Sequence, residues 1–302
     1  MQRVVIVGAG AMGCLFAARL ALAGADVTLV DVDAPRLAEI AREGITLDDD
    51  LGTRRARVHA SLAGDVSGPV DLVIAFTKAM HSRAAAASVA HLAAPGTVAL
   101  TLQNGLGNAE ALAEVFGAGA VLAGVTDFPA DRTGPLSVAS HGEGHVWLGR
   151  HDPAGSADPA AITDLFNRAG LNCRTVPDPR VLLWEKVAFN AALNSVATVT
   201  GLTVGGMDQP AGRAVITAIA DEVIATARAL NIAVDGPGVH AKIAFALANH
   251  RGHKASMLQD RLAGRPTEID AINGAVADHA RAPGVPTPVT SALADLVRLI
   301  CG

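Results

Sequence analysis

An α/β chain is what this sequence predicts: a doubly wound parallel sheet in its first part and an all-helical domain in its second. Three observations predict it. Short apolar, β-branched runs alternate with alanine-rich helical stretches through the first part. Strands alternating with helices imply parallel pairing, because a crossover helix returns the chain to the same end of the sheet. A glycine-rich turn, Gly8-Ala9-Gly10-Ala11-Met12-Gly13, sits between the first strand and the first helix. After Pro177-Asp178-Pro179 the strand pattern stops and long helices take over.

Residues 3–7 are a β-branched run closed by Gly8, suited to a central strand buried on both faces. Residues 12–22 read as a helix, 27–30 as a second strand ending at Asp31, and 34–42 as a helix stopped by Gly44. Residues 45–47 and 57–59 flank a charged turn and are candidates for a hairpin, with a solvated Asp48-Asp49-Asp50 loop as the alternative. Strands follow at 70–76, 97–102 and 121–125, separated by helical stretches at 80–92 and 109–116. Residues 136–140 and 145–148 resemble a small hairpin, and a helix at 159–169 leads to an extended run at 173–176. The later helices fall at 181–200, 210–230, 237–250, 267–282 and 288–301, with prolines near their starts. These elements divide the chain into domains 1–178 and 179–302.

Composition narrows the function. Lys and Arg total 24 against 29 Asp and Glu, a formal charge of −5, so no overall basic field exists to hold nucleic acid. There is no Tyr, which excludes a Tyr-based proton relay. Cys14, Cys173 and Cys301 show no CxxC spacing, as expected for reduced thiols rather than a zinc site. His240, His250 and His253 lack an HExxH context and read as surface groups, so no metal is expected. No signal-peptide pattern and no apolar run of about 18 residues is present, so the expected setting is the cytoplasm, without a membrane partner.

The glycines match G-x-G-x-x-G directly after a strand and before a helix, the context in which that motif holds a dinucleotide. Gly8 permits the turn, Gly10 lets a pyrophosphate approach the backbone, and Gly13 lets the helix pack on the sheet. Ala11 and Met12 lie at the helix start, whose amides and dipole favour phosphate. Asp31, at the second strand end, suits the adenosine ribose hydroxyls and would repel a 2′-phosphate, which favours NAD(H) over NADP(H). Arg36 would soften that exclusion, and capping of the next helix is the other role open to Asp31.

Ligands of doubly wound sheets sit outside the carboxyl ends of the strands, where Lys78 and Asn104 fall. Lys186, Asn190 and Asn194 are spaced i, i+4, i+8 and share one helix face. That face is either a solvated stripe or a polar wall where a lysine donates a proton and asparagines hold a carboxylate. Ser256 and Glu268 bracket a further polar stretch whose spacing is not diagnostic by itself.

With these residues assembled, the chain resembles the ketopantoate reductase (2-dehydropantoate 2-reductase) family almost end to end. The matching motifs are VGAGAMG at 7–13, FTK at 76–78, LQNGLGN at 102–108, WEKVAFNAALN at 184–194, SMLQD at 256–260 and TEIDAING at 267–274. The resemblance implies a Rossmann domain followed by a helical domain, with catalysis in the cleft between them. It implies Lys186 as the general acid for a ketone and Glu268 as the carboxylate that orients it or a substrate hydroxyl. Asn104, Asn190, Asn194 and Ser256 would bind the substrate, with Lys78 near the nicotinamide ribose. The expected reaction is NAD(P)H-dependent reduction of a small 2-oxo acid, foremost ketopantoate to pantoate in pantothenate synthesis. The alternative is an NAD-dependent 2-hydroxy acid dehydrogenase, and a homodimer is compatible with either. Three features depart from the family pattern: Asp31 where a basic residue is common, Ser195 where proline often follows the second asparagine, and the stretch Asp127-Phe128-Pro129-Ala130-Asp131.

Overall fold

A computed structural model describes residues 2–301 of the 302. The chain divides into two compact units, Met1–Gln103 with Asn108–Pro179, and Asn104–Gly107 with Arg180–Gly302. A single cut at 178 misses that Asn104–Gly107 groups with the second unit.

In chain order the first unit runs β1 Arg3–Val7, α1 Ala11–Leu22, β2 Asp26–Val30, α2 Ala34–Glu43, β3 Ile45–Asp49, β4 Gly52–Ala56 and β5 His59–Ser61. Next come β6 Leu72–Ala75, α3 Ser82–Ser88, β7 Val98–Thr101, α4 Asn108–Phe116 and β8 Val121–Thr126. It closes with β9 Asp131–Gly134, β10 Ser137–Ser140, β11 Val146–Arg150, α5 Pro159–Arg168 and β12 Cys173–Thr175. The main sheet has eight strands in the order β12-β11-β8-β7-β6-β1-β2-β5. All neighbours are parallel except β11 against β8. The order reverses at β1, whose neighbours are β2 and β6, so the glycine turn after β1 stands at the switch point where doubly wound sheets take ligands.

The expected local hairpins are both corrected. β3 pairs antiparallel with β4, not with 57–59, while β5 adds to the main sheet beside β2. The acidic run is therefore largely strand: Asp48 and Asp49 lie in β3, and Asp49 is only 5% exposed. β10 and β11 belong to different sheets. β10 sits between β3 and β9 in a four-stranded sheet, and β11 pairs with β8. The helix expected at 80–92 is broken into α3 flanked by 3₁₀ turns at Ala79–His81 and Ala90–Leu92.

Phe16 of α1 is fully buried, with Phe76, Phe128 and Phe166 at centroid distances of 4.7, 6.4 and 5.6 Å. One aromatic cluster thus ties α1 to the end of β6, the post-β8 loop and α5, and fixes the helix that carries the glycine turn.

The second unit contains α6 Pro179–Thr200, a 3₁₀ turn Val204–Met207, α7 Pro210–Ala229, α8 Gly236–Asn249 and α9 Ser256–Leu262. A π turn Asp270–Gly274, α10 Ala275–Arg281 and α11 Pro288–Cys301 follow. Its core joins Val187 and Ala191 of α6 to Ile219 and Val223 of α7, Ile243 of α8 and Val297 of α11. The helix expected at 267–282 begins later, with a π turn at Asp270–Gly274 whose N-cap, Ile269, makes no side-chain cap bond. Among the described residues no helix is long and apolar enough to cross a membrane.

Burial raises the Cys14 thiol above its usual value, opposed by the neighbouring Arg36, and pushes Cys173 up to about 11. Thiolate is the reactive form. In native protein at pH 8, therefore, a thiol reagent is expected to label Cys301 quickly and the other two only after denaturation. Rapid native labelling of all three would show that these cores are not closed.

Candidate functional site

The first unit sets the glycine turn at the start of α1, at the switch point of the sheet. Gly8 has φ +109°, and a Cβ there would lie 2.8 Å from the backbone of Phe76 and Thr77, so only glycine lets β1 and β6 end this close together. A Cβ on Gly13 would overlap the Gly8 carbonyl oxygen, whereas one on Gly10 would meet nothing within 4 Å. The first and third glycines are thus required by packing. Gly10, exposed at the N-cap of α1, leaves open space beside the first amides of that helix. Ala11 and Met12 form the first turn of that helix, half-buried.

Asp31 follows β2 and is half-buried. Its Oδ2 accepts from the Ala9 amide at 2.6 Å, and its Oδ1 from the Val32 and Asp33 amides at 2.7 and 3.3 Å. The cap of α2 is Asp33, not Asp31. A carboxylate offers about four acceptor positions, so Asp31 can brace the glycine turn and still receive a ribose hydroxyl. Arg36 donates to the carbonyls of Ala9 and Pro135 at 2.6 and 2.7 Å, which directs its guanidinium to the backbone of the same corner.

At the carboxyl ends of β6 and β7, composition and spacing give no warning of a buried polar network. Gln103 donates to the Thr77 carbonyl at 2.6 Å and to Ser82 Oγ at 2.8 Å, accepts from Thr101 Oγ1 at 3.0 Å, and Ser82 donates to Asn108 Oδ1 at 2.7 Å. Gln103, Ser82, Asn108 and Thr101 are all buried, so this network fixes the loop carrying the half-buried Lys78.

The second unit gathers Asn104, Lys186, Asn190, Asn194, Ser256 and Glu268. Along α6 burial deepens from half-buried Lys186 and Asn190 to Asn194 at 6% exposure, so the face is not a solvated stripe. Asn194 Nδ2 points at Ser256 Oγ, 3.5 Å away, on the first residue of α9. Behind it, Ser195 Oγ returns to the Ala191 carbonyl at 2.6 Å, and the fully buried Asn273 donates to the same carbonyl at 3.4 Å.

Glu268, half-buried, stands just before the π turn. A π turn holds its carbonyls in an i→i+5 register, seen here as Gly274 N–H donating to Ile269 O at 2.9 Å. Within it, the Ala271 carbonyl accepts from the Leu106 amide at 2.8 Å, which binds Asn104–Gly107 to the element that begins at Glu268. Gly105 makes this approach, with φ +84° and a Cβ position 2.6 Å from the Ala271 oxygen. Gly105→Ala is therefore expected to cost about 2–4 kcal/mol in urea unfolding, from positive-φ strain plus displacement of the loop. Unchanged stability would mean the tether does not hold in solution.

A family model described as ketopantoate reductase PanE/ApbA matches residues 4–153, and the model of that family's C-terminal part matches residues 179–300. A 2-dehydropantoate 2-reductase of Halobacterium salinarum is 33% identical over 301 residues, covering 99% of this chain and 98% of that protein. One from Archaeoglobus fulgidus is 31% identical, covering 99% and 97%. Among solved structures, D-mandelate dehydrogenase with NADH and anilino(oxo)acetate is similar with a TM-score of 0.93 at 27% identity, covering 99% of this chain and 98% of that one. The 2-dehydropantoate 2-reductase of Geobacter metallireducens is similar with a TM-score of 0.91 at 32% identity, covering 98% and 99%.

Proposed function

Because this chain belongs to the ketopantoate reductase family, and is thereby an oxidoreductase acting on CH–OH groups, we propose that it reduces 2-dehydropantoate to pantoate. The observation that carries this reading is the polar face of α6, which passes from Lys186 through Asn190 to a buried Asn194 facing Ser256. A half-buried face of one ammonium and several amides suits a substrate carrying a carboxylate and a hydroxyl.

Gly8, Gly10, Ala11, Met12 and Gly13 would hold the pyrophosphate of a nicotinamide dinucleotide, a group that the open space at Gly10 fits. Asp31 would take the adenosine ribose, and Lys78 would lie by the nicotinamide ribose. When bound, the nicotinamide supplies hydride to the keto carbon. The Lys186 ammonium gives its proton to the ketone oxygen as negative charge develops there, which stabilises the transition state more than the ground state. Glu268 holds that ammonium or a substrate hydroxyl in place. Asn104, Asn190, Asn194 and Ser256 hydrogen-bond the carboxylate and hydroxyl of the substrate.

The preferred cofactor in this reading is NAD(H), supported by the Asp31 carboxylate at the end of β2. Asp31→Arg is expected to shift the ratio of kcat/KM values toward NADPH, with Asp31→Asn as the control for the lost contact to Ala9. An unchanged ratio would remove Asp31 from cofactor selection.

A second reading rests on the likeness to D-mandelate dehydrogenase: oxidation of a 2-hydroxy acid by NAD, with Lys186 accepting the proton instead. Steady-state rates with 2-dehydropantoate and a panel of 2-oxo and 2-hydroxy acids, each with both cofactors, decide between them. Turnover of another acid with none of 2-dehydropantoate would overturn the pantoate assignment.

A further inference from the structure

The first unit contains a cavity of about 400 Å³ at the carboxyl end of α1, lined by Arg19, Asp49 and Arg54 below and Leu22, Leu51 and Phe128 around them. The glycine turn is at the other end of α1, about 18 Å away for a helix of 12 residues. None of the residues assigned above to the dinucleotide or the substrate lines it.

Its floor carries an uneven charge count. Asp49 is buried and receives two guanidinium groups, Arg54 Nη2 at 2.6 Å and Arg19 Nη2 at 3.5 Å. Two cations on one anion leave a net positive charge in a poorly solvated place, where it is costly. Arg19 is the more enclosed, its side chain 12% exposed, with the guanidinium 4.8 Å over the Phe128 ring and a donor to the Gly170 carbonyl at 2.8 Å. Burial depresses its pKa, Asp49 and, more weakly, Asp50 oppose this, and Arg54 adds to the depression. The Nε atoms of Arg19 and Arg54 are buried without a hydrogen-bond partner among the described residues. The other charged lining groups, Asp50, Glu143 and Arg168, are exposed, where solvent weakens their effect; of these Asp50 still acts on Arg19, less than Asp49 and Arg54 do. Asp50 is also engaged, accepting from the Gly142 amide at 2.8 Å and lying 3.2 Å from His141 Nδ1.

The walls are apolar and partly open to water. Leu51 is 78% exposed and Leu22 41%, unusual for large aliphatic side chains beside a buried cation. An occupant therefore needs one negative charge to balance the floor and a short apolar body to cover the walls. Inorganic phosphate meets the first need but leaves Leu22 and Leu51 uncovered.

We propose that this cavity is a second ligand site, separate from the glycine turn, for a small organic monocarboxylate whose charge pairs with Arg19 and Arg54 and whose alkyl part rests on Leu22, Leu51 and Phe128. Hexanoate serves as the probe, hexanol as its uncharged counterpart and inorganic phosphate as its apolar-free one. Binding to the full chain is followed by protein-detected NMR titration, with and without saturating NADH. Hexanoate is expected to shift resonances at the carboxyl end of α1 and the β3–β4 turn saturably, with hexanol and phosphate each at least about tenfold weaker. Arg54→Gln is expected to weaken hexanoate at least about tenfold, one lost charge contact. Leu51→Ser, at an exposed turn, removes part of the apolar wall without adding charge to the floor and is expected to weaken hexanoate by a few-fold. Absence of saturable binding, equal affinity in Leu51→Ser, preference for phosphate, or displacement by NADH would each overturn the proposal. None of these outcomes depends on which oxo acid the enzyme reduces.

Discussion

Replacing Lys186 by alanine is expected to lower kcat for oxo-acid reduction by about 10²–10⁴-fold, the usual worth of a positioned proton donor. The loss should fall on kcat more than on KM, because an ammonium meets little charge on a ground-state ketone and much on the incipient alkoxide. Alanine is the best helix former, and positions 187 and 188 beside it are already buried apolar residues, so α6 should keep its shape. Lys186→Arg sharpens the test. Arginine keeps the positive charge but does not release its proton at working pH, so binding should survive while turnover stays low. Dinucleotide binding, followed by fluorescence without substrate, should be unchanged in both variants. A kcat for the alanine variant within about threefold of the parent would remove Lys186 from the chemistry.

Much of this site is legible in the sequence, and the parts that are not have physical reasons. The β1–α1 turn announces itself because two of its three glycines are forced by local geometry: the carbonyl of Gly8 leaves no room at Gly13, and the backbone just after β6 leaves none at Gly8. The α6 face announces itself through helical periodicity, with the three polar residues one turn apart. What sequence does not carry is who lies opposite. β3 does form a hairpin, but with 52–56 and not 57–59, and β10 joins β3 from some ninety residues on while β11 joins β8, so a reading that favours nearby pairing misses the long-range partners. Asp49 looks like part of a solvated loop until Arg19 and Arg54 converge on it. The π turn beyond Glu268 is likewise absent from the sequence pattern, which reads as ordinary helix from 267, while in the fold its Ala271 carbonyl receives the Leu106 amide from a distant loop. Tertiary partners override local signals most strongly around the loops that carry function.

The two glycines flanking Ala11 and Met12 permit a test in which structure and ligand binding separate. Gly13→Ala places a methyl into the Gly8 carbonyl, so α1 must move off the sheet and disturb the packing of Phe16 against Phe76. Overpacking of this kind against rigid backbone is expected to cost about 3 kcal/mol, read as a lower urea midpoint, with dinucleotide affinity falling as a consequence. Gly10→Ala meets no protein atom within 4 Å, and its backbone, at φ −68° and ψ −173°, suits alanine. Its stability should change by less than about 1 kcal/mol, the scale of an N-cap substitution. The methyl would nevertheless stand where a pyrophosphate must approach the amides of the turn, so dinucleotide affinity should drop at least about tenfold. One variant thus loses stability first and the other loses binding alone. If Gly10→Ala bound NADH as tightly as the parent, the space over that glycine would not be the phosphate cradle, and the cofactor would have to be sought elsewhere on the first unit.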